Sequence, residues 1–371
     1  MLRRLWPALA GTILVGLVAM LVATGIRDAL AGPAKAAGRL SVCPGEPGVA
    51  PGPGVGPGGS ADAAPVWWRA VSVLDADGSI VGRSLTVGRG GAELAHLALP
   101  TESSVSGPVG GLVVVASDDG AASLVRLLAV GRGCAWTIPA PEGVLRRAVL
   151  SPDGTTLLAH VVERASRVDL GVWARPLVGG GSWARVLAPL DGVAAGTGRV
   201  WATDVRATAD GRLVVQSCGD TGCVVRVTSL DGTRPVTLSG GRMQGHLLGV
   251  AGDRLIVWQE CGGAPCPILA WPIGARSGTR LADDAVAAEL SADGTRLVIL
   301  RVDPTGSQLL AIDPASGARW ALADAGGLRP LAIGLEAFAG IELPADAVAI
   351  GSSDALPRIL ITAPAGTEVL P

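Results

Sequence analysis

The 371-residue sequence predicts an all-β fold assembled from repeated four-stranded units. Three observations predict it. Short runs rich in Val, Leu and Ile recur along the chain: GLVVVAS (111–117), TLLAHVVE (156–163), RLVVQSC (212–218), RLIVWQE (254–260) and RLVILRV (296–302). Such runs, bounded by turn residues, read as buried strands. Related segments begin at 150, 207, 250 and 290, so the last three are 43 and 40 residues apart. The 57-residue first gap holds extra Gly-rich sequence, GVAAGTGRVWATD (192–204). No amphipathic helical pattern of 12 or more residues lies between the runs, which argues against alternating βαβ units.

Each part of the chain follows in order. Arg3 and Arg4 precede an uncharged stretch from Leu5 to Ile26. As a helix its 22 residues span roughly 33 Å, enough for a hydrocarbon core of about 30 Å. Residues 1–31 therefore read as one N-terminal transmembrane helix, with the N-terminus cytoplasmic and the bulk of the chain extracytoplasmic. Ala29-Leu30-Ala31 also fits a signal-peptidase pattern, so secretion after cleavage near Ala31 is the alternative. Residues 32–65, dense in Pro and Gly from Cys43 onward, form a stalk. Gly54 to Gly59 formally matches G-x-G-x-x-G, but no strand precedes it and no helix follows.

Residues 66–371 are the repeat domain. A period near 41 residues made of four short strands is the signature of a propeller blade. SPDGTTLLAHV and SADGTRLVILRV resemble the repeats of TolB-type, WD40-like β-propellers, although no Trp-Asp dipeptide occurs. That resemblance implies a β-propeller and carries no function, because propellers host enzymes and binding modules alike. Six four-stranded units fit between about 92 and 371, and residues 66–88 supply a further hairpin. The reading is seven blades, the first completed by the other terminus, with six as the alternative.

The cysteines then fall into place. Cys218 and Cys223 flank a four-residue loop between the second and third strands of one unit, and Cys261 and Cys266 repeat this one unit later. Cross-strand neighbours suit disulfide geometry, and an exported compartment favours oxidation over zinc binding. Parity pairs the remaining two, Cys43 and Cys134, which would pin the stalk to the domain edge.

Composition narrows the chemistry. Net charge is −2 with no basic stripe, which argues against nucleic acid. The chain lacks Asn and Tyr, and Lys35 is its only lysine, so the repeat domain offers neither a Schiff-base amine nor a phenolic proton donor. No H-E-x-x-H or G-x-S-x-G motif occurs, and no metal or cofactor is expected. Asp118-Asp119-Gly120 reads as a hairpin turn, not a calcium loop. Of three histidines, His160 reads as a packed side chain. His96 and His246 fall in or beside first strands, the strands that line a propeller channel, and are the weak ligand candidates. The expected function is a membrane-tethered, non-catalytic binding or scaffold module for a protein, peptide or glycan. The alternative is a lyase or hydrolase whose site would need His96 and His246 to converge with acids such as Asp204 or Glu289.

Overall fold

A computed structural model describes residues 40–47, 66–74, 77, 79–90, 92–189, 200, 202–208, 210–219, 222–231, 233, 236–237, 245–259, 266–275, 277–291, 294–303, 306–321, 328–330, 337–341, 347–352, 358–363 and 366–370. The expected membrane helix lies outside these residues. Apart from one 3-10 turn at Val130–Arg132, the described elements are strands. The first is β1 (Ser41–Val42), followed by β2 (Val66–Leu74), β3 (Ile80–Arg89) and β4 (Ala92–Leu99). Then come β5 (Ser103–Val109), β6 (Leu112–Asp118), β7 (Ser123–Ala129) and β8 (Cys134–Pro139). The third group is β9 (Val144–Leu150), β10 (Thr156–Val162), β11 (Asp169–Pro176) and β12 (Ala184–Leu187). The fourth is β13 (Ala202–Ala207), β14 (Arg212–Gly219), β15 (Gly222–Ser229) and β16 (Val236–Thr237).

A longer run follows: β17 (Gly245–Ala251), β18 (Arg254–Gln259), β19 (Cys266–Pro272), β20 (Thr279–Leu290), β21 (Leu297–Asp303), β22 (Gly306–Ile312) and β23 (Arg319–Ala321). The chain ends with β24 (Leu328–Pro330), β25 (Ala337–Ile341), β26 (Ala347–Ser352), β27 (Arg358–Ala363) and β28 (Gly366–Leu370).

Most of these strands pair with their sequence neighbours as antiparallel meanders. Sheets β5–β8, β9–β12 and β13–β16 each take four consecutive strands. The seven strands β17–β23 form one sheet because β20 is long. Its first half pairs with β19 and its second half with β21, so it serves two meanders in turn. Two sheets break sequence order. β25 pairs with β2, giving the order β25-β2-β3-β4, and β24 pairs with β26 ahead of β27 and β28. The N-terminal meander therefore has three strands, and its fourth comes from near the C-terminus.

The apolar runs are explained by what lies on each side of a sheet. On β6, Val113 and Val115 pack toward the β2–β4 sheet, with Trp68, Leu85 and Val87. Their neighbours Leu112, Val114 and Ala116 pack the other way, with Leu145, Leu157 and Val161. The same alternation places Leu213 and Val215 against Leu158 and Val172, and Val214 against Leu255 and Val257. Each core is thus a sandwich between consecutive sheets. A strand buried on both faces must be apolar at every position, which is why these strands lack the polar alternation of a one-sided sheet.

The turns that link the first and second strands of a meander share one construction. Ser151 Oγ accepts the Thr156 amide at 3.0 Å and donates to Asp153, whose Oδ1 accepts the Thr155 amide. Thr208, Asp210 and Arg212 repeat the pattern, and Ser291 accepts the Arg296 amide in the same way. The glycine of each turn has positive φ: +70° at Gly154, +78° at Gly211 and +73° at Gly294. That is the left-handed region where a Cβ is disfavoured, which accounts for the recurring Asp-Gly pair.

Part of the expected stalk is anchored. β1 adds a short parallel strand outside β8, with Ser41 opposite Cys134. Cys43 and Cys134 are joined by a disulfide of 2.01 Å. Trp136 Nε1 donates to the Gly45 carbonyl at 3.0 Å, and Glu46 accepts the Gly179 amide at 3.1 Å. Residues 40–47 thus run along a sheet edge, pinned by the Cys43–Cys134 bond that cysteine parity predicted.

Candidate functional site

The polar features of the domain separate into a sealed network, a braced loop face and a row of charges on first strands. The sealed network joins two sheets. His160 on β10 is fully buried, as the sequence implied. Its Nε2 meets Asp169 Oδ1 at 2.8 Å and its Nδ1 meets Thr203 Oγ1 at 3.0 Å. Asp169 Oδ2 accepts Arg226 Nη2 at 2.9 Å, Oδ1 accepts the Gly171 amide at 2.7 Å, and Arg226 also donates to the Ala188 carbonyl. Burial alone would raise the Asp169 carboxyl. The hydrogen bond to His160 and the charge of Arg226 outweigh it and hold the group at about 2. Threonine, imidazole and carboxylate stand in a row, but Asp169 and His160 have no solvent-exposed surface, so a substrate cannot reach them. This is a polar bolt between β9–β12 and β13–β16.

The loop face is built from the links between second and third strands, with the segments that lead into first strands. Asp118 of the β6–β7 turn accepts the Gly120 amide and the Ser123 hydroxyl. Asp119 accepts the amides of Ala121 and Ala122, confirming the hairpin-turn reading. Arg164, from the β10–β11 turn of the next sheet, donates to Asp118 at 2.9 Å and to the Gly120 carbonyl at 2.8 Å. In the same turn Arg167 adopts φ +62°, strained for a residue with a Cβ. It grips Glu102 with two nitrogens, at 2.7 and 3.0 Å. Beside this clamp is a cleft of about 190 Å³ lined by Arg83, Thr101, Glu102, Ser103, Leu145 and Arg146. Arg83 donates to the Ser103 carbonyl, and Arg146 stands 3.7 Å from Glu102. Further along, Cys218 and Cys223 are directly opposed across the β14–β15 turn and bonded at 2.04 Å. Cys266 is disulfide-bonded as well, and Cys261 lies outside the described residues.

First strands contact one another from sheet to sheet: β5 packs on β9, and β9 on β13. They carry Arg147 on β9, Asp204 and Arg206 on β13, and Glu289 on the second half of β20. Arg206 Nε donates to Asp204 Oδ2 at 2.9 Å. Burial pushes the Glu289 carboxyl up to about 7 against the opposing positive charge of Arg206. Burial likewise lowers Arg147, which feels the charges of Asp204 and Arg206.

The two histidine candidates fare differently. His96 does not sit on a first strand. It lies on β4, the edge strand farthest from β25 in its sheet, exposed and bonded to Ser84 Oγ at 2.7 Å and Thr86 Oγ1 at 3.1 Å. The expectation mistook a three-stranded start for a hairpin, which shifted β4 into the next unit. His246 does fall on a first strand, β17, and its side chain lies outside the described residues. His96 and the acids Asp204 and Glu289 are therefore not brought together. Among the described residues no group of three or more His, Cys, Asp or Glu could hold a metal. Sequence reasoning missed Arg147 and Arg206. Their signal is an arginine inside a first strand, where a two-sided core otherwise demands apolar residues.

No family model matches the chain, and no curated protein matches it. Solved structures do. The β-propeller domain of the trilobed protease from Pyrococcus furiosus, described as an open velcro topology, aligns over 83% of this chain and 97% of that domain. Its identity is 9% and the TM-score 0.50. TolB from Acinetobacter baumannii aligns over 68% of this chain and 62% of its own, at 13% identity and a TM-score of 0.41. A prolyl endopeptidase aligns over 78% and 46%, at 13% identity and 0.49. The chain thus spans under two thirds of TolB and about half of that peptidase. The likeness is one of fold: the described residues form an all-β, propeller-like domain.

Proposed function

We propose that the chain is a seven-bladed β-propeller, tethered to a membrane by residues 1–31 and displayed outside the cytoplasm, that binds a protein or peptide partner on its braced loop face. The blade count rests on dividing the β17–β23 sheet at β20 and counting β25-β2-β3-β4 as one blade. The export reading rests on the two disulfides, which belong to oxidising compartments. Cys261 with Cys266 completes the set of three pairs.

The observation that carries binding is the bracing itself. Turns from neighbouring sheets are locked together by Arg164 on Asp118 and by Arg167 on Glu102, and a third is stapled by Cys218–Cys223. Loops fixed before association lose little conformational entropy on binding, which is how a surface gains affinity without large area. The cleft beside the clamp is lined by Arg83, Glu102, Ser103 and Arg146, so a polar segment of a partner suits it. Crosslinking of the intact cell envelope tests this. The full chain should yield a discrete adduct that Glu102→Arg reduces at least tenfold. An adduct of equal yield from both proteins would refute a role for this face.

A further inference from the structure

We infer that the first strands β9 and β13, which pack on one another, form a receptor site for a carboxylate, with Arg147 as its anchoring group. This rests on the binding reading and specifies what part of a partner the domain takes. Arg147 has an unusual position. On β9, Arg147 opposes His160 while Leu145 opposes Val161, so Arg146 is an extra residue that bulges the strand. Bulges re-aim side chains, and here two successive arginines take different duties. Arg146 turns to Glu102 at the cleft. Arg147 turns toward the neighbouring first strand, where Asp204 and Arg206 influence it.

The charges on these strands do not balance around Arg147. Asp204 is committed to Arg206. Arg147 Nε is buried with no hydrogen-bond partner, and its guanidinium forms no ion pair among the described residues. Arg147 thus presents a guanidinium with no ion pair of its own among the described residues, the nearby Asp204 being bonded to Arg206. An uncompensated cation in such a place is unfavourable unless an anion completes it. A carboxylate is the planar, bidentate partner that matches a guanidinium. A free peptide C-terminus supplies one at the tip of a slender chain.

Ligand-observed NMR on the full chain tests the site with three probes: triglycine, its C-terminal amide and inorganic phosphate. Triglycine should bind saturably and the amide should not. Arg147→Gln should weaken triglycine at least tenfold, and Arg147→Lys, which keeps the charge and loses the fork, at least threefold. Should the glutamine variant not fold, the lysine variant decides. Equal binding of acid and amide, tighter binding of phosphate, or unchanged affinity in both variants would each overturn the proposal. The two readings fail separately. Glu102→Arg should leave triglycine binding intact, and Arg147-dependent binding without any envelope adduct would sink only the loop-face reading.

Discussion

Asp169 shows how one residue can tie two sheets together. It is ionised, fully buried and satisfied by His160, Arg226 and the Gly171 amide. Asp169→Asn would leave Arg226 buried without its counter-charge, and a loss of roughly 3–5 kcal/mol is expected from chemical denaturation. The carboxyl is held below its unfolded value, so its contribution is present above pH about 4 and fades as pH falls from about 4 toward 2. Glu289 has the opposite sign. Its folded value near 7 lies above the unfolded value, so its ionisation weakens the fold as pH rises between about 4.5 and 7. Glu289→Gln should therefore stabilise the protein by up to about 3 kcal/mol at pH 8 and by almost nothing at pH 4. A variant that is equally stable at both pH values relative to wild type would contradict the burial of this group.

The strand-and-turn elements were the legible part of the sequence. Asp-Gly turns, two-sided apolar runs and the Cys218–Cys223 hairpin each follow from local chemistry, and each is where the pattern put it. The start of a sheet was not legible. Nothing in VWWRAVSVL distinguishes the second strand of a sheet from the first, because its inner neighbour β25 lies far away in sequence. His96 was misplaced for that reason. The Arg146 bulge was also invisible, since two adjacent arginines give no sign of which is extra. The disulfides differ in consequence at this scale. Replacing Cys218 and Cys223 by serine opens only a small ring and should cost about 2 kcal/mol, with the circular dichroism unchanged. Replacing Cys43 and Cys134 releases a link across 91 residues of sequence and should cost about 4–5 kcal/mol in the same chain-entropy picture. Limited proteolysis should then cut between 40 and 47, a segment protected in the intact protein by β1, Trp136 and Glu46.

On the scale of the whole molecule, the sheets supply rigidity, and in the proposed reading the links between them supply recognition. Cores shared by consecutive sheets fix each sheet against the next, and the bolt at Asp169 and the clamp at Glu102 lock particular pairs. The central claim is that this rigid framework presents its braced loop face to a partner. Site-specific photocrosslinking in the native envelope tests it most directly, with a photoreactive residue placed at Thr101 beside the cleft or at Val81 on the exposed start of β3. The account predicts a discrete adduct from position 101 and none from position 81. Adducts from position 81 alone, or none from either position, would contradict it.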